Sequence, residues 1–72
     1  MDALTAIKDI LSDNLGIDPA SVTRESTLDS LAIDSLDLVE LICDLEERLA
    51  IQMGYPENLR TVGDIVDYIA RL

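Results

Sequence analysis

Aliphatic side chains recur at helical spacing in three separate stretches of this chain, and nowhere do apolar and polar residues alternate as they would in a strand. The spacing predicts helices over residues 3–15, 35–50 and 62–71. A Pro-Glu-Asn-Leu-Arg segment predicts one further helical turn over 56–60, with proline at its first position. We therefore expect an all-α fold, a small bundle of three main helices plus one short third helix.

A long loop over 16–34 connects the first two predicted helices and shows no helical periodicity. Asp18-Pro19 prevents the first helix from continuing, because the residue before a proline avoids the helical conformation. Five apolar residues interrupt the loop and predict that it is held against the core: Ile17, Val22, Leu28, Leu31 and Ile33. Such a loop indicates either a functional segment or a crossover between helices that run in the same direction, and both interpretations can hold. Because 72 residues suffice for one hydrophobic core, we expect a single domain over 1–72.

Composition restricts the chemistry available to such a domain. The chain has no histidine, the usual general base and commonest metal ligand, and its single cysteine, Cys43, can form neither an internal disulfide nor a cysteine-based zinc site. We therefore assign no catalytic residue and no metal site. With 15 Asp and Glu against 5 Lys and Arg, the net charge of −10 disfavours nucleic acid and favours partners with basic patches.

Residues 1–20 contain no basic segment followed by an uninterrupted apolar run, so no signal peptide is predicted. No apolar stretch approaches the roughly 20 residues that a membrane-spanning helix needs. The expectation is a cytoplasmic, monomeric protein that starts at Met1 and does not insert into a membrane.

The predicted helix 35–50 carries two apolar strips. The first is the expected core stripe, and the second, formed by Leu36, Val39 and Cys43, lies roughly opposite. We expect Cys43 to be a partly buried filler. Acidic residues accompany the second strip: Asp37, Glu40, Asp44, Glu46 and Glu47. Apolar contacts flanked by carboxylates suit a docking surface for basic partners, while the alternative is a set of scattered surface hydrophobes.

An Asp-Ser-Leu tripeptide occurs twice, at Asp29-Ser30-Leu31 and at Asp34-Ser35-Leu36. Only the second copy lies where a helix is predicted to begin, so the Ser35 hydroxyl is expected at a helix N-terminus. There, free backbone N–H groups and the helix dipole favour an attached phosphate. Taken alone, a serine at a helix start is usually only a cap.

Asp34-Ser35-Leu36-Asp37, followed by Val39-Glu40-Leu41, resembles the signature of the acyl carrier protein family. The resemblance extends over nearly the whole chain: Gly16-Ile17, Val22, Leu45-Glu46-Glu47, Thr61-Val62-Gly63-Asp64 and Asp67-Tyr68-Ile69. It implies a non-catalytic carrier whose 4′-phosphopantetheine is attached to Ser35, between Asp34 and Leu36, by a phosphopantetheinyl transferase that uses coenzyme A. Acyl intermediates would then travel as thioesters to acyl-loading, condensing and acyl-transfer enzymes of fatty-acid or polyketide-type biosynthesis.

The sequence also departs from the usual pattern of that family. Ala32 stands where glycine is usual, Leu38 replaces a small polar residue, and the segment from Pro56 to Thr61 is shorter than in fatty-acid carriers. These differences weaken an assignment to housekeeping fatty-acid synthesis. Two alternatives stay open: an aminoacyl or peptidyl carrier with the same arm, and a helical adaptor with no prosthetic group.

Overall fold

The computed structural model describes residues 2–72 and contains three α-helices joined by long connections. Helix α1 spans Ala3–Leu15, α2 spans Ser35–Leu49 and α3 spans Val62–Ala70. A single turn of 3-10 helix covers Pro19–Ser21 in the loop between α1 and α2. Within residues 2–72 there is no strand, only an isolated antiparallel bridge. The predicted all-α class is confirmed. None of the helices in this range combines the length and the apolarity needed to cross a bilayer.

A side-chain cap begins each helix. The carboxylate of Asp2 accepts the backbone N–H groups of Leu4 and Thr5, and that of Asp34 accepts the N–H of Asp37 at 2.9 Å. Such caps satisfy N–H groups that have no partner inside the helix. At the start of α3 the hydroxyl of Thr61 accepts the N–H of Asp64, whose own carboxylate accepts the N–H of Thr61, which forms a capping box.

The capping box is sensitive to acid through Asp64. Hydrogen bonds from the backbone N–H groups of Arg60 and Thr61 lower the pKa of Asp64 below its ordinary value. A carboxylate whose pKa is lower in the folded state stabilises the fold above the pKa of an unfolded aspartate, about 3.9, and this contribution is lost as the pH falls through the lowered pKa. The start of α3 is therefore best held at neutral pH.

The core lies around α1, which packs against both α2 and α3. Ile7, Leu45 and Ile65, one from each helix, have no exposed surface. The long loop also enters the core, as predicted from its apolar residues: Val22, Leu28 and Ile33 are buried, while Ile17 and Leu31 pack against them half-buried. The domain thus relies on aliphatic packing, since it has one free cysteine and no disulfide within the described residues.

The loop is tied to the start of α3 by three backbone hydrogen bonds. Leu28 N–H donates to the Arg60 carbonyl at 2.9 Å, Val62 N–H to Ser26 at 2.9 Å, and Gly63 N–H to Arg24 at 2.8 Å. The approach is so close that a Cβ on Gly63 would lie 3.0 Å from the Arg24 carbonyl oxygen. We call these three bonds the loop clamp.

The helical turn predicted over 56–60 is wrong, because this segment is not helical. Asn58 has a φ of 65°, in the left-handed region that a right-handed helix excludes. The loop clamp adds a second reason, since the Arg60 carbonyl accepts from Leu28 instead of from a helical partner. The other boundaries shift by one residue: α2 ends at Leu49 because Ala50 has a φ of 53°, and α3 ends at Ala70.

We predict that Leu45→Ala lowers the free energy of unfolding by about 2–5 kcal/mol, because it leaves a cavity at a fully buried position. The matched control is Leu36→Ala on the same helix, where the side chain is 67% exposed and the change should stay within about 0.5 kcal/mol. Urea unfolding followed by circular dichroism measures both values. Equal losses in the two variants would contradict the buried and exposed faces assigned to α2.

Candidate functional site

Ser35 is the first residue of α2, and its side chain is exposed. Asp34 precedes it in extended conformation and caps the helix through the Asp37 N–H, so this hydrogen bond stabilises the start of α2 at Ser35. Within residues 2–72 the Ser35 hydroxyl makes no hydrogen bond. It is a free, solvent-accessible hydroxyl at a fixed point of the fold.

Ser30, in the other Asp-Ser-Leu copy, is placed differently. Its hydroxyl donates to the Thr27 carbonyl at 2.9 Å and its backbone N–H donates to the Thr27 hydroxyl at 3.0 Å. Both groups therefore serve the turn over 28–32, which is closed by a hydrogen bond from Ile33 N–H to the Leu28 carbonyl. The two copies of the tripeptide therefore differ: the Ser30 hydroxyl is engaged in a hydrogen bond, and the Ser35 hydroxyl is not within residues 2–72.

Ala32, which stands where glycine is usual, adopts an unfavourable backbone conformation. Ala32 adopts a φ of 58°, the left-handed conformation that glycine reaches without penalty and that costs an alanine about 1–2 kcal/mol. The turn is kept because Leu28 and Ile33 on either side are buried in the core. The loop therefore reaches Asp34 by the same kind of turn that a glycine would provide.

An open cavity of about 310 Å³ lies beside Ser35. Its walls come from three parts of the chain: the loop before α2, the first turn of α2, and the segment that leads into α3. They are formed by Thr27, Leu28, Asp29, Ile33, Asp34, Ser35, Leu38, Leu59 and Arg60. The mixture of aliphatic and charged walls offers both an apolar surface and ionic contacts to a group held at Ser35.

The surface of α2 away from the core is an exposed ridge, which we call the outer ridge: Leu36, Val39, Glu40, Cys43 and Glu47. Leu36 is 67% exposed and Val39 is 38% exposed. Cys43 is exposed as well, so the expectation that it fills a partly buried position is wrong. The ridge begins one residue after Ser35, so the hydroxyl and the ridge are neighbours on the surface of α2.

The remaining acidic residues predicted to join this surface lie on the two flanks of α2. Asp37 and Asp44 are half-buried, and Asp44 accepts a hydrogen bond from the Asn14 amide of α1 at 2.8 Å. On the other flank, the Glu46 carboxylate accepts the backbone N–H groups of Met53 at 2.8 Å and Gly54 at 3.2 Å. Glu46 thus holds the segment after α2 in place.

The chain matches the family model described as a phosphopantetheine attachment site over residues 5–69. It is 48% identical over 66 residues to the acyl carrier protein of Clostridium acetobutylicum, covering 88% of this chain and 86% of the relative. It is 41% identical over 69 residues to that of Streptococcus pneumoniae, covering 96% and 93%, and 41% identical over 73 residues to that of Thermotoga maritima, covering 97% and 90%.

We predict that Glu46→Ala loosens the segment after α2 without unfolding the domain. Losing an acceptor for two backbone N–H groups removes about 1 kcal/mol of local stability, which speeds amide hydrogen exchange at Met53 and Gly54 roughly fivefold. Glu47→Ala is the matched control, since Glu47 is exposed and makes no hydrogen bond within the described residues. Exchange measured by NMR tests this, and identical rates in both variants would exclude the assigned role of Glu46.

Proposed function

The chain belongs to the acyl carrier protein family, whose cofactor is a covalently attached 4′-phosphopantetheine, and we propose that Ser35 is the residue that carries it. The observation that carries this proposal is the exposed Ser35 hydroxyl, which has no hydrogen-bond partner within residues 2–72, at the capped start of α2. Ser30 does not compete, because its hydroxyl already donates to Thr27. Members of this family act as carriers for other enzymes and are not catalysts themselves.

The residues around Ser35 fit such an arm. The hydroxyl provides the attachment atom, and the cavity of about 310 Å³ provides apolar walls from Leu28, Ile33 and Leu38. When bound, the arm supplies a terminal thiol on which acyl groups are held as thioesters. The protein contributes a fixed anchor, a sheltered surface and a surface for partners to recognise. This division of labour agrees with a chain that lacks histidine.

Attachment requires a phosphopantetheinyl transferase, a partner that the family implies. In the proposed step the Ser35 oxygen forms a bond to the phosphorus that carries the pantetheine group of coenzyme A. The bond from that phosphorus to the oxygen of the adenosine bisphosphate breaks. The nucleotide leaves with the bonding electrons, and the hydroxyl proton passes to a base on the transferase. The role of this chain is to present the oxygen, which Asp34 does by setting the start of α2.

The outer ridge is the proposed contact surface for the transferase and for the acyl-loading, condensing and acyl-transfer enzymes. Leu36 and Val39 supply exposed apolar contacts, while Glu40 and Glu47 supply charge beside them. In a chain of net charge −10, these carboxylates steer partners with basic patches. A small charged interface also releases partners quickly, as a carrier that serves several enzymes requires.

The cargo is proposed to be an acyl group of fatty-acid or polyketide-type biosynthesis. The family and the curated relatives support an acyl cargo but name no pathway for this chain. Mass spectrometry of the intact protein from native cells identifies the load directly. An aminoacyl load would instead establish the aminoacyl or peptidyl carrier.

We predict that the purified chain gains one phosphopantetheinyl group when incubated with coenzyme A and a broad-specificity transferase. Ser30→Ala should be modified like the wild type, and Ser35→Ala should remain unmodified, because only Ser35 has a free hydroxyl at the start of α2. Intact mass and peptide mapping provide the measurement. Modification of Ser35→Ala would refute the site, and an unmodified wild type would favour the adaptor without a prosthetic group.

We predict that reversing two charges on the outer ridge, Glu40→Lys with Glu47→Lys, lowers the kcat/KM of the transferase on the order of tenfold at low salt, since steering is lost. Added salt should narrow the difference, because it screens exposed charges. Glu25→Lys with Glu57→Lys is the matched control, which changes the net charge equally at exposed positions off α2. If both double variants lower the kcat/KM of the transferase equally, the loss is due to net charge and not to the outer ridge.

A further inference from the structure

Arg60 borders the same cavity as Ser35 but belongs to the segment that leads into α3. We propose that the Arg60 guanidinium binds the phosphodiester of the arm and so positions its first part across the cavity. This inference rests on the proposed attachment at Ser35. It assigns to the chain a residue that contacts the phosphate, in addition to the one that anchors it.

The backbone of Arg60 is held on both sides. Its carbonyl accepts the Leu28 N–H at 2.9 Å within the loop clamp, and its N–H donates to the Asp64 carboxylate at 3.0 Å. The side chain nevertheless remains exposed. Arg60 therefore has a fixed backbone at the cavity wall and an exposed side chain.

Among residues 2–72, Arg60 is the one cationic residue on the cavity wall. The chain has five lysines and arginines, of which Arg24 pairs with Asp67 at 2.9 Å and Arg48 with Asp13 at 3.3 Å. Arg60 makes no ion pair within 4.0 Å among residues 2–72. Its guanidinium is therefore available to a ligand, and a guanidinium binds phosphate oxygens through two parallel hydrogen bonds.

The charges around Ser35 favour this contact. The other ionic residues on the cavity wall are Asp29 and Asp34, both acidic, and a phosphodiester adds one more negative charge beside them. A sphere with the cavity's volume is about 8 Å across, less than the Debye length of about 10 Å at 0.1 M salt. The attraction of Arg60 thus acts over the width of the cavity and reduces the repulsion from the two carboxylates.

Within the chain, the Asp64 carboxylate competes with a phosphodiester for the Arg60 guanidinium. Backbone hydrogen bonds from Arg60 and Thr61 lower the pKa of Asp64, and the charge of Arg60 lowers it further, which shows that the two side chains influence one another. One Asp64 oxygen, however, already accepts both of those N–H groups, at 3.0 and 3.1 Å, and no ion pair with the guanidinium is formed. Only one Asp64 oxygen is free of these backbone bonds, whereas a phosphodiester offers Arg60 two such oxygens.

The test uses full chains loaded with the arm by a broad-specificity transferase, with loading established by intact mass. Phosphorus NMR then follows the phosphodiester resonance of the wild type, Arg60→Gln, Arg60→Lys and Arg71→Gln as salt is raised to about 1 M, where the Debye length is about 3 Å. Arg71 is the matched control, because it is exposed at the end of α3 and is not on the cavity wall. Circular dichroism establishes that each variant is folded.

In the wild type and in Arg71→Gln we expect the resonance to move as salt screens the contact. In Arg60→Gln it should already lie near the high-salt position and move little. Arg60→Lys should give an intermediate response, since lysine keeps the charge but not the two-pronged geometry. The Arg60 Nε–H resonance of the wild type should also shift between the unloaded and the loaded protein.

Two results would overturn the inference. One is a loaded Arg60→Gln whose phosphorus resonance and salt response equal those of the wild type. The other is an Arg71→Gln whose salt response is reduced as much as that of Arg60→Gln. A wild type that gains no arm refutes the attachment at Ser35 and this inference with it. A loaded protein whose Arg60 signals do not change refutes the Arg60 contact alone, so the two failures are distinguishable.

Discussion

The loop clamp is the interaction on which the site depends. Three backbone hydrogen bonds, from Leu28, Val62 and Gly63 to the facing carbonyls, join the long loop to the start of α3. Backbone polar groups that leave water need partners, so a loop of 19 residues between Leu15 and Ser35 enters the core only if such bonds exist. The clamp therefore fixes the loop, and the loop fixes where α2 begins.

Each property of the site follows from that arrangement. The turn that ends at Ile33 leads to Asp34, which caps α2, and Ser35 is the exposed first residue of that helix. The same clamp brings Arg60 to the cavity wall from a part of the chain 25 residues away from Ser35. The proposed attachment at Ser35 needs a constant position relative to the outer ridge, and the clamp holds the loop from which α2 begins.

The surface of helix α2 has four parts, an inner face, the outer ridge and two flanks, and each makes different contacts. Its inner face, with Leu41 and Leu45, fills the core, and its outer ridge faces solvent. Of the flanks, one contacts α1 through Asp44, and the other holds the following segment through Glu46. Not all the carboxylates of α2 therefore belong to the outer ridge. Asp44 and Glu46 instead join α2 to α1 and to the segment after α2.

The sequence alone determined the helices and the attachment candidate, because apolar spacing, caps and the Asp-Ser-Leu motif are local signals read within a few residues. It could not place Glu46 or Arg60, since their partners, Met53 and Leu28, lie within connecting segments whose course no periodicity specifies. The turn expected over 56–60 failed for the same reason: proline permitted a helix, but the clamp to Leu28 and the left-handed Asn58 required another conformation. The tertiary structure adds a physical difference between Ser30 and Ser35, because the Ser30 hydroxyl donates to the Thr27 carbonyl and the Ser35 hydroxyl has no partner within residues 2–72. Local patterns are encoded by neighbours in the chain. The availability of a hydroxyl, the burial of a side chain and the balance of charge at a site are set by segments that meet only when the chain is folded.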